Sequence, residues 1–134
     1  MIVKSKQKII NLDKGNLMHF IKKNDESYNG FGEIYFSNII KGTIKGWKKH
    51  KKMTMNLCVP RGIVKFVFFT ENKKFIEEII IGESNYIRIT VPPGIWFAFQ
   101  GMSNNISLVC NFSNIIHDPE EVDNLDLNEI NYSW

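Results

Sequence analysis

Ten apolar or alternating segments, each five to eight residues long, follow one another between Lys8 and Phe112. They lie at Lys8–Leu12, Leu17–Ile21, Phe31–Phe36, Thr43–His50, Met53–Val59, Ile63–Phe69, Phe75–Ile81, Tyr86–Val91, Ile95–Gln100 and Ile106–Phe112. Between them stand turn signals such as Asp13 to Gly15, Asn29-Gly30, Lys41-Gly42, Pro60-Arg61-Gly62, Gly82 to Asn85, Pro92-Pro93-Gly94 and Ser103 to Asn105. Glycine and asparagine tolerate positive φ, and proline presets the first corner of a turn. Short runs punctuated in this way predict an antiparallel β-sandwich or barrel. Composition agrees, with 20 Ile, 7 Val and 10 Phe against 6 Leu and 1 Ala. Branched and aromatic side chains suit a pleated sheet, whereas helices favour Leu and Ala. Only Asp118–Asn128, rich in acids and holding Pro119, reads as helical or irregular. The 134 residues are expected to form one all-β domain, 1–134.

Alternation assigns faces. In Gly62–Thr70 both faces are largely apolar, so the strand is central, and Phe66, Phe68, Ile79, Ile89, Phe99 and Val109 are expected in the core. In Trp47–Lys52, Lys48 and His50 share one face while Trp47 and Lys49 take the other.

Charge is distributed unevenly. Residues 1–67 carry 14 Lys and Arg against 4 Asp and Glu, whereas residues 68–134 carry 3 against 10. The densest basic stretch, Lys41 to Lys52, holds six lysines and no acid. A nucleic-acid stripe is one reading of it. The reading adopted is a solvated strand face, with one or two lysines meeting a phosphorylated small molecule and no nucleic-acid partner. No apolar run approaches the roughly 20 residues of a membrane span, and Met1–Lys8 has no signal-peptide core. A cytoplasmic protein without a membrane partner is expected. Cys58 and Cys110 lie in strand-like contexts outside any CxxC pattern and read as reduced core residues.

Four stretches resemble, in order, the sugar-nucleotide cupins, namely the dTDP-4-dehydrorhamnose 3,5-epimerases and the dTDP-sugar 3,4-ketoisomerases. They are Ile44-Lys45-Gly46-Trp47-Lys48-Lys49-His50-Lys51, Arg61-Gly62-Ile63-Val64, Val91-Pro92-Pro93-Gly94-Ile95-Trp96-Phe97-Ala98-Phe99, and His117-Asp118-Pro119-Glu120-Glu121 with the closing Leu127, Ile130 and Trp134. The resemblance implies a double-stranded β-helix (a cupin jelly roll), a homodimer, and a nucleotide-sugar held inside the barrel. It also implies no metal and no cofactor. The metal-binding cupins' His-x-His…Glu…His set is absent, since His19, His50 and His117 are scattered.

The family's catalytic pattern carries over in part. Where the epimerases have Arg-Gly-x-His with the histidine as base, this chain has Lys45-Gly46-Trp47-Lys48. The ketoisomerases' second histidine, two residues later, matches His50. The epimerases' catalytic lysine falls on Met55, their acid tyrosine near Cys110 or Asn111, and the histidine after the Pro-Gly segment on Phe97.

His50 is therefore the expected base, with Lys48 beside it as a catalytic helper. The competing reading of His50 is a wall residue that only hydrogen-bonds. Lys45, at the family arginine, is expected to contact a diphosphate or the keto oxygen. Trp96 matches a family tryptophan and is a candidate wall of the sugar pocket, with core packing as the favoured reading. Arg88 is read as a phosphate clamp from its residue type. Asn56 and Gln100 are polar residues in apolar strands and are read as ligand contacts. The resemblance implies an epimerase or isomerase of a 4-keto-6-deoxy sugar. A non-catalytic nucleotide-sugar-binding cupin and a 3,4-ketoisomerase remain as alternatives.

Overall fold

The computed structural model describes every residue from Met1 to Trp134. Twelve strands follow in order: β1 (Val3–Lys6), β2 (Ile9–Ile10), β3 (Leu17–Met18), β4 (Glu33–Ile39), β5 (Ile44–His50), β6 (Met55–Arg61), β7 (Ile63–Phe69), β8 (Phe75–Gly82), β9 (Ile87–Val91), β10 (Trp96–Gly101), β11 (Ser107–Ser113) and β12 (Val122–Asn124). Two five-stranded antiparallel sheets face each other, one ordered β1-β9-β6-β11-β4 and the other β12-β5-β10-β7-β8. The all-β jelly roll expected from the sequence is the observed fold.

Side chains alternate across each strand, so each sheet sends one face inward. The inward faces build a core of 16 buried residues that includes Phe66, Phe68, Ile79, Ile89, Phe99 and Val109, as expected. Strand β7 lies between β10 and β8 and is buried on both faces except at Ile63. Its outward face meets a second cluster of Trp47, Val67, Phe69, Trp96, Ala98 and Ile130. There Lys65 lies 5.3 Å from the rings of both Tyr132 and Trp134, so the C-terminal tail covers a buried ammonium with aromatic faces.

Three departures from the sequence reading have local causes. The polar, lysine-rich Val3–Lys6 forms a strand because its backbone completes the sheet edge beside β9. Lys8–Leu12 and Leu17–Ile21 shrink to a two-residue ladder on each other. The acidic tail makes two one-turn 3-10 segments, Pro119–Glu121 and Leu127–Glu129, with β12 between them pairing against His50, Lys49 and Lys48. The Asp118 side chain caps Glu120 N, and the turn ends at the branched Val122.

Cations of the first half meet anions of the second. Lys4 pairs with Glu77, Lys49 with Glu71 and Asp123, and Lys51 with Asp123. Cys58 and Cys110 face each other across β6 and β11 as buried free thiols.

Candidate active site

Between the sheets opens a cavity of about 450 Å³. Met55, Leu57, Phe97, Phe99 and Val109 give it an apolar wall, while His50, Tyr35, Asn111, Lys45 and Lys48 supply its polar groups.

A bulge sets the facing of β5. Phe97 pairs with Lys48 but Phe99 pairs with Lys45, so three steps on β5 span two on β10. Strict alternation would turn Lys45 outward with Trp47. The extra residue instead brings Lys45, Lys48 and His50 onto the same wall. Lys45 Nζ donates to Ser37 Oγ at 2.6 Å and Lys48 Nζ to Asn124 Oδ1 at 3.0 Å, both at the exposed rim.

His50 is only 6% exposed. Its ring stacks on Phe97 at a centroid distance of 5.9 Å. Its Nδ1 hydrogen-bonds Glu121 Oε1. The other carboxylate oxygen accepts from the amides of Lys51, Lys52 and Met53 at 3.2, 3.0 and 3.2 Å. Burial pushes the Glu121 carboxyl toward neutrality, but the bonds from His50 and from the Lys52 and Met53 amides outweigh it and hold its pKa below the usual value. A charged carboxylate at Nδ1 fixes the proton there and leaves the Nε2 lone pair as the imidazole's free site. That is the geometry of a general base with an orienting acid.

Across the cavity, β4 presents Glu33, Tyr35 and Ser37 inward. Asn111 Nδ2 donates to the Tyr35 hydroxyl at 2.7 Å, while Asn111 Oδ1 is buried without a donor. Burial is the largest influence on the Tyr35 phenol and raises its pKa. The Asn111 bond acts in the opposite direction, and the nearby charges of Glu33 and Glu121 add to the rise. Tyr35 thus stays protonated and able to donate.

Of the sequence-derived residues, His50, Lys48 and Lys45 come together in this cavity. The other four lie elsewhere because they alternate with neighbours that face the cavity or, for Arg88, the core. Asn56, between Met55 and Leu57, donates to Ser27 O at 3.1 Å and accepts from Thr90 Oγ1 at 2.7 Å. Trp96 packs into the outer cluster with Trp47 and Ile130, and Lys49 lies 5.2 Å from its ring. Gln100 is half-buried and follows the outward phase of Trp96 and Ala98. Arg88 is buried beyond the other face of its sheet, where Nη1 donates to Phe20 O and Asp25 Oδ2, each at 2.8 Å.

Sequence reasoning missed Tyr35 and Glu121. The signal for Tyr35 was an inverted pattern, in which polar Glu33, Tyr35 and Ser37 face in while Ile34 and Phe36 are exposed at 46% and 64%. The signal for Glu121 was its place at the end of the Pro119-Glu120-Glu121 turn. His117 also borders the cavity, and its amide donates to Glu33 Oε1 at 2.9 Å.

No protein-family model matches the chain. A probable low-salt glycan biosynthesis epimerase of Haloferax volcanii is 23% identical over 122 residues, covering 85% of this chain and 78% of that protein. Among solved structures, a dTDP sugar isomerase from Desulfovibrio desulfuricans superposes with a TM-score of 0.92 at 27% identity, over 99% of this chain and 90% of that one. A dTDP-4-dehydrorhamnose 3,5-epimerase from Sulfolobus tokodaii superposes with a TM-score of 0.82 at 19% identity, over 98% and 80%. A 3'-monoepimerase from Streptomyces bikiniensis, solved in complex with dTDP-quinovose, gives 0.84 at 10% identity, over 99% and 74%. The fold is that of the sugar-nucleotide cupins. Its structural neighbours are a dTDP sugar isomerase and dTDP-4-dehydrorhamnose 3,5-epimerase-type enzymes.

Proposed function

We propose that this protein is a metal-independent epimerase or isomerase of a nucleotide-linked, dTDP-type 4-keto-6-deoxy sugar in polysaccharide precursor synthesis. One observation carries the reading: His50 on one sheet, held by Glu121 from the adjoining 3-10 turn, faces a protonated Tyr35 on the other sheet. A keto group acidifies the neighbouring C–H. His50 Nε2 removes that proton, Glu121 stabilises the resulting imidazolium, and the enolate's negative charge is balanced by Lys48. Tyr35, on the opposite wall, returns a proton to the other face of the ring, which inverts the carbon. Lys45 at the rim holds the diphosphate, and the apolar wall takes the deoxy methyl group.

Facing walls favour epimerisation over a same-face transfer. A 3,4-ketoisomerase is the second reading, favoured by the 27% identity with a dTDP sugar isomerase. Both reactions begin with the same proton abstraction, so the product separates them: epimerisation leaves the carbonyl in place, and isomerisation moves it to the neighbouring carbon. The discriminating experiment incubates the protein with a dTDP-4-keto-6-deoxy sugar in deuterium oxide and follows label and carbonyl position by NMR. Absence of label alongside measurable nucleotide-sugar binding would instead indicate a binding module.

A homodimer and a cytoplasmic location belong to the same proposal. The exposed Ile34 and Phe36 on the outward face of edge strand β4 support the first, and light scattering tests it. The two free thiols support the second. No helix is long and apolar enough to cross a membrane.

A further inference from the structure

A second cleft, of about 510 Å³, lies on the side of the β1–β9 edge away from the sugar cavity, and the two share no lining residue. Strand β1 and the segment Lys22–Ser27 frame it. Its lining is almost wholly polar and carries Lys6, Lys8, Lys22 and Arg88 against Asp25 and Glu26, with His19 beside them.

Arg88 is what distinguishes this cleft from a patch of solvated lysines. The residue is 3% exposed, and its hydrogen bonds leave through Nη1 alone, to Phe20 O and Asp25 Oδ2. Nε is buried with no acceptor at all, and Nη2 has none within the chain. Nε is fully covered, which leaves Nη2 as the charged donor free to meet an oxyanion at the cleft. A buried donor without an acceptor is costly, and native chains rarely leave one unused. Asp25 meets Arg88 at Nη1 alone, through the Oδ2 that also accepts from the Lys22 amide. Lys6 and Lys8 make no ion pair of their own, so their charge is free to face a ligand.

We propose that this cleft is a binding site for a phosphate-bearing small molecule, held by Nη2 of Arg88 and neutralised by Lys6 and Lys8. The ligand class follows from the charge: a dianion fits the cationic excess better than a lone carboxylate does, and a cleft of this size holds one phosphorylated metabolite. The site is separate from the one that takes the nucleotide-sugar.

Calorimetric titration with inorganic phosphate and with pyrophosphate tests this. The full chain carries Lys45→Gln and Lys48→Gln so that the rim of the sugar cavity cannot contribute. One saturable site per chain is expected. Adding Lys6→Gln and Lys8→Gln, both at exposed positions, should weaken it about tenfold or more, as should Arg88→Lys, which keeps the charge but loses the Nη2 donor. In an otherwise unaltered chain, Lys6→Gln/Lys8→Gln should leave sugar turnover unchanged. Absence of phosphate binding in the Lys45→Gln/Lys48→Gln chain would overturn the proposal. So would binding indifferent to the Lys6 and Lys8 changes, or loss of turnover with them.

Discussion

Tyr35 and Asn111 sit directly opposite each other on β4 and β11, and the amide of one holds the phenol of the other at 2.7 Å. The resemblance places the epimerases' acid tyrosine near Cys110 or Asn111. Here an asparagine occupies that strand and orients a tyrosine supplied by its neighbour, so the phenol reaches the cavity from a different strand.

Replacing Tyr35 with Phe should therefore separate two readouts. Inverted product should fall by about two decades, the range for losing a general acid. Exchange of the substrate's α-hydrogen with solvent, driven by His50, should fall less than about tenfold. Equal losses in both, measured by NMR in deuterium oxide, would move the base to Tyr35.

His50→Asn should slow that exchange itself by about two decades or more while the protein still folds. Glu121→Gln should cost a similar order, because the amide no longer fixes the imidazole proton on Nδ1. Steady-state kinetics alongside circular dichroism would check both. Full activity in Glu121→Gln would show that the dyad is structural only.

The depressed pKa of Glu121 also makes stability depend on pH. In the native state this carboxyl holds its proton less tightly than in the unfolded chain, where it titrates near 4.5. Its contribution is thus complete above the unfolded value and disappears as the pH falls through the lower native one. Asp25 acts in the same direction, held down first by the Lys22 amide against the opposing effect of burial, and then by Arg88. Urea denaturation from pH 7 down to pH 3 should show a steep acid loss that is shallower in Glu121→Gln. An unchanged acid limb would contradict this account.

Residues facing away from the cavity should behave as structure. Asn56→Ala removes a partner from Thr90 and from Ser27 O and should cost about 1–3 kcal/mol of stability. Gln100→Ala should cost less than about 0.5 kcal/mol. Neither should change KM for the sugar nucleotide, and a several-fold rise in KM for either would place it in contact with substrate.

These four misplacements show where a one-dimensional reading fails. A polar residue inside an apolar strand has two faces to choose from, and the need for a partner does not say which. Asn56 finds Thr90 and Ser27 outside, and Trp96 finds Trp47 and Ile130. The face was legible in Trp47–His50, where the bulky Trp47 marks the side opposite Lys48 and His50. Lys45 required the bulge on β5, which leaves no compositional mark beyond Gly46. Glu121 reaches His50 across 71 positions of sequence through the β5–β12 pairing, a contact that local patterning does not encode. The core strands were legible because branched and aromatic residues between strong turn signals leave one economical solution, two sheets closed on each other.

The meeting of first-half lysines with second-half carboxylates reaches back to the chain before it folds. A polymer with a cationic leading block and an anionic trailing block is drawn together end to end, so the unfolded ensemble is already contracted toward the pairings that Lys4 with Glu77 and Lys49 with Asp123 later make. Dissolved electrolyte loosens that contraction, since blocks of charge separated by more than about 8–10 Å are screened at physiological ionic strength. Salt therefore acts on the dimensions of the denatured coil as well as on the finished surface, and on the search that connects the two.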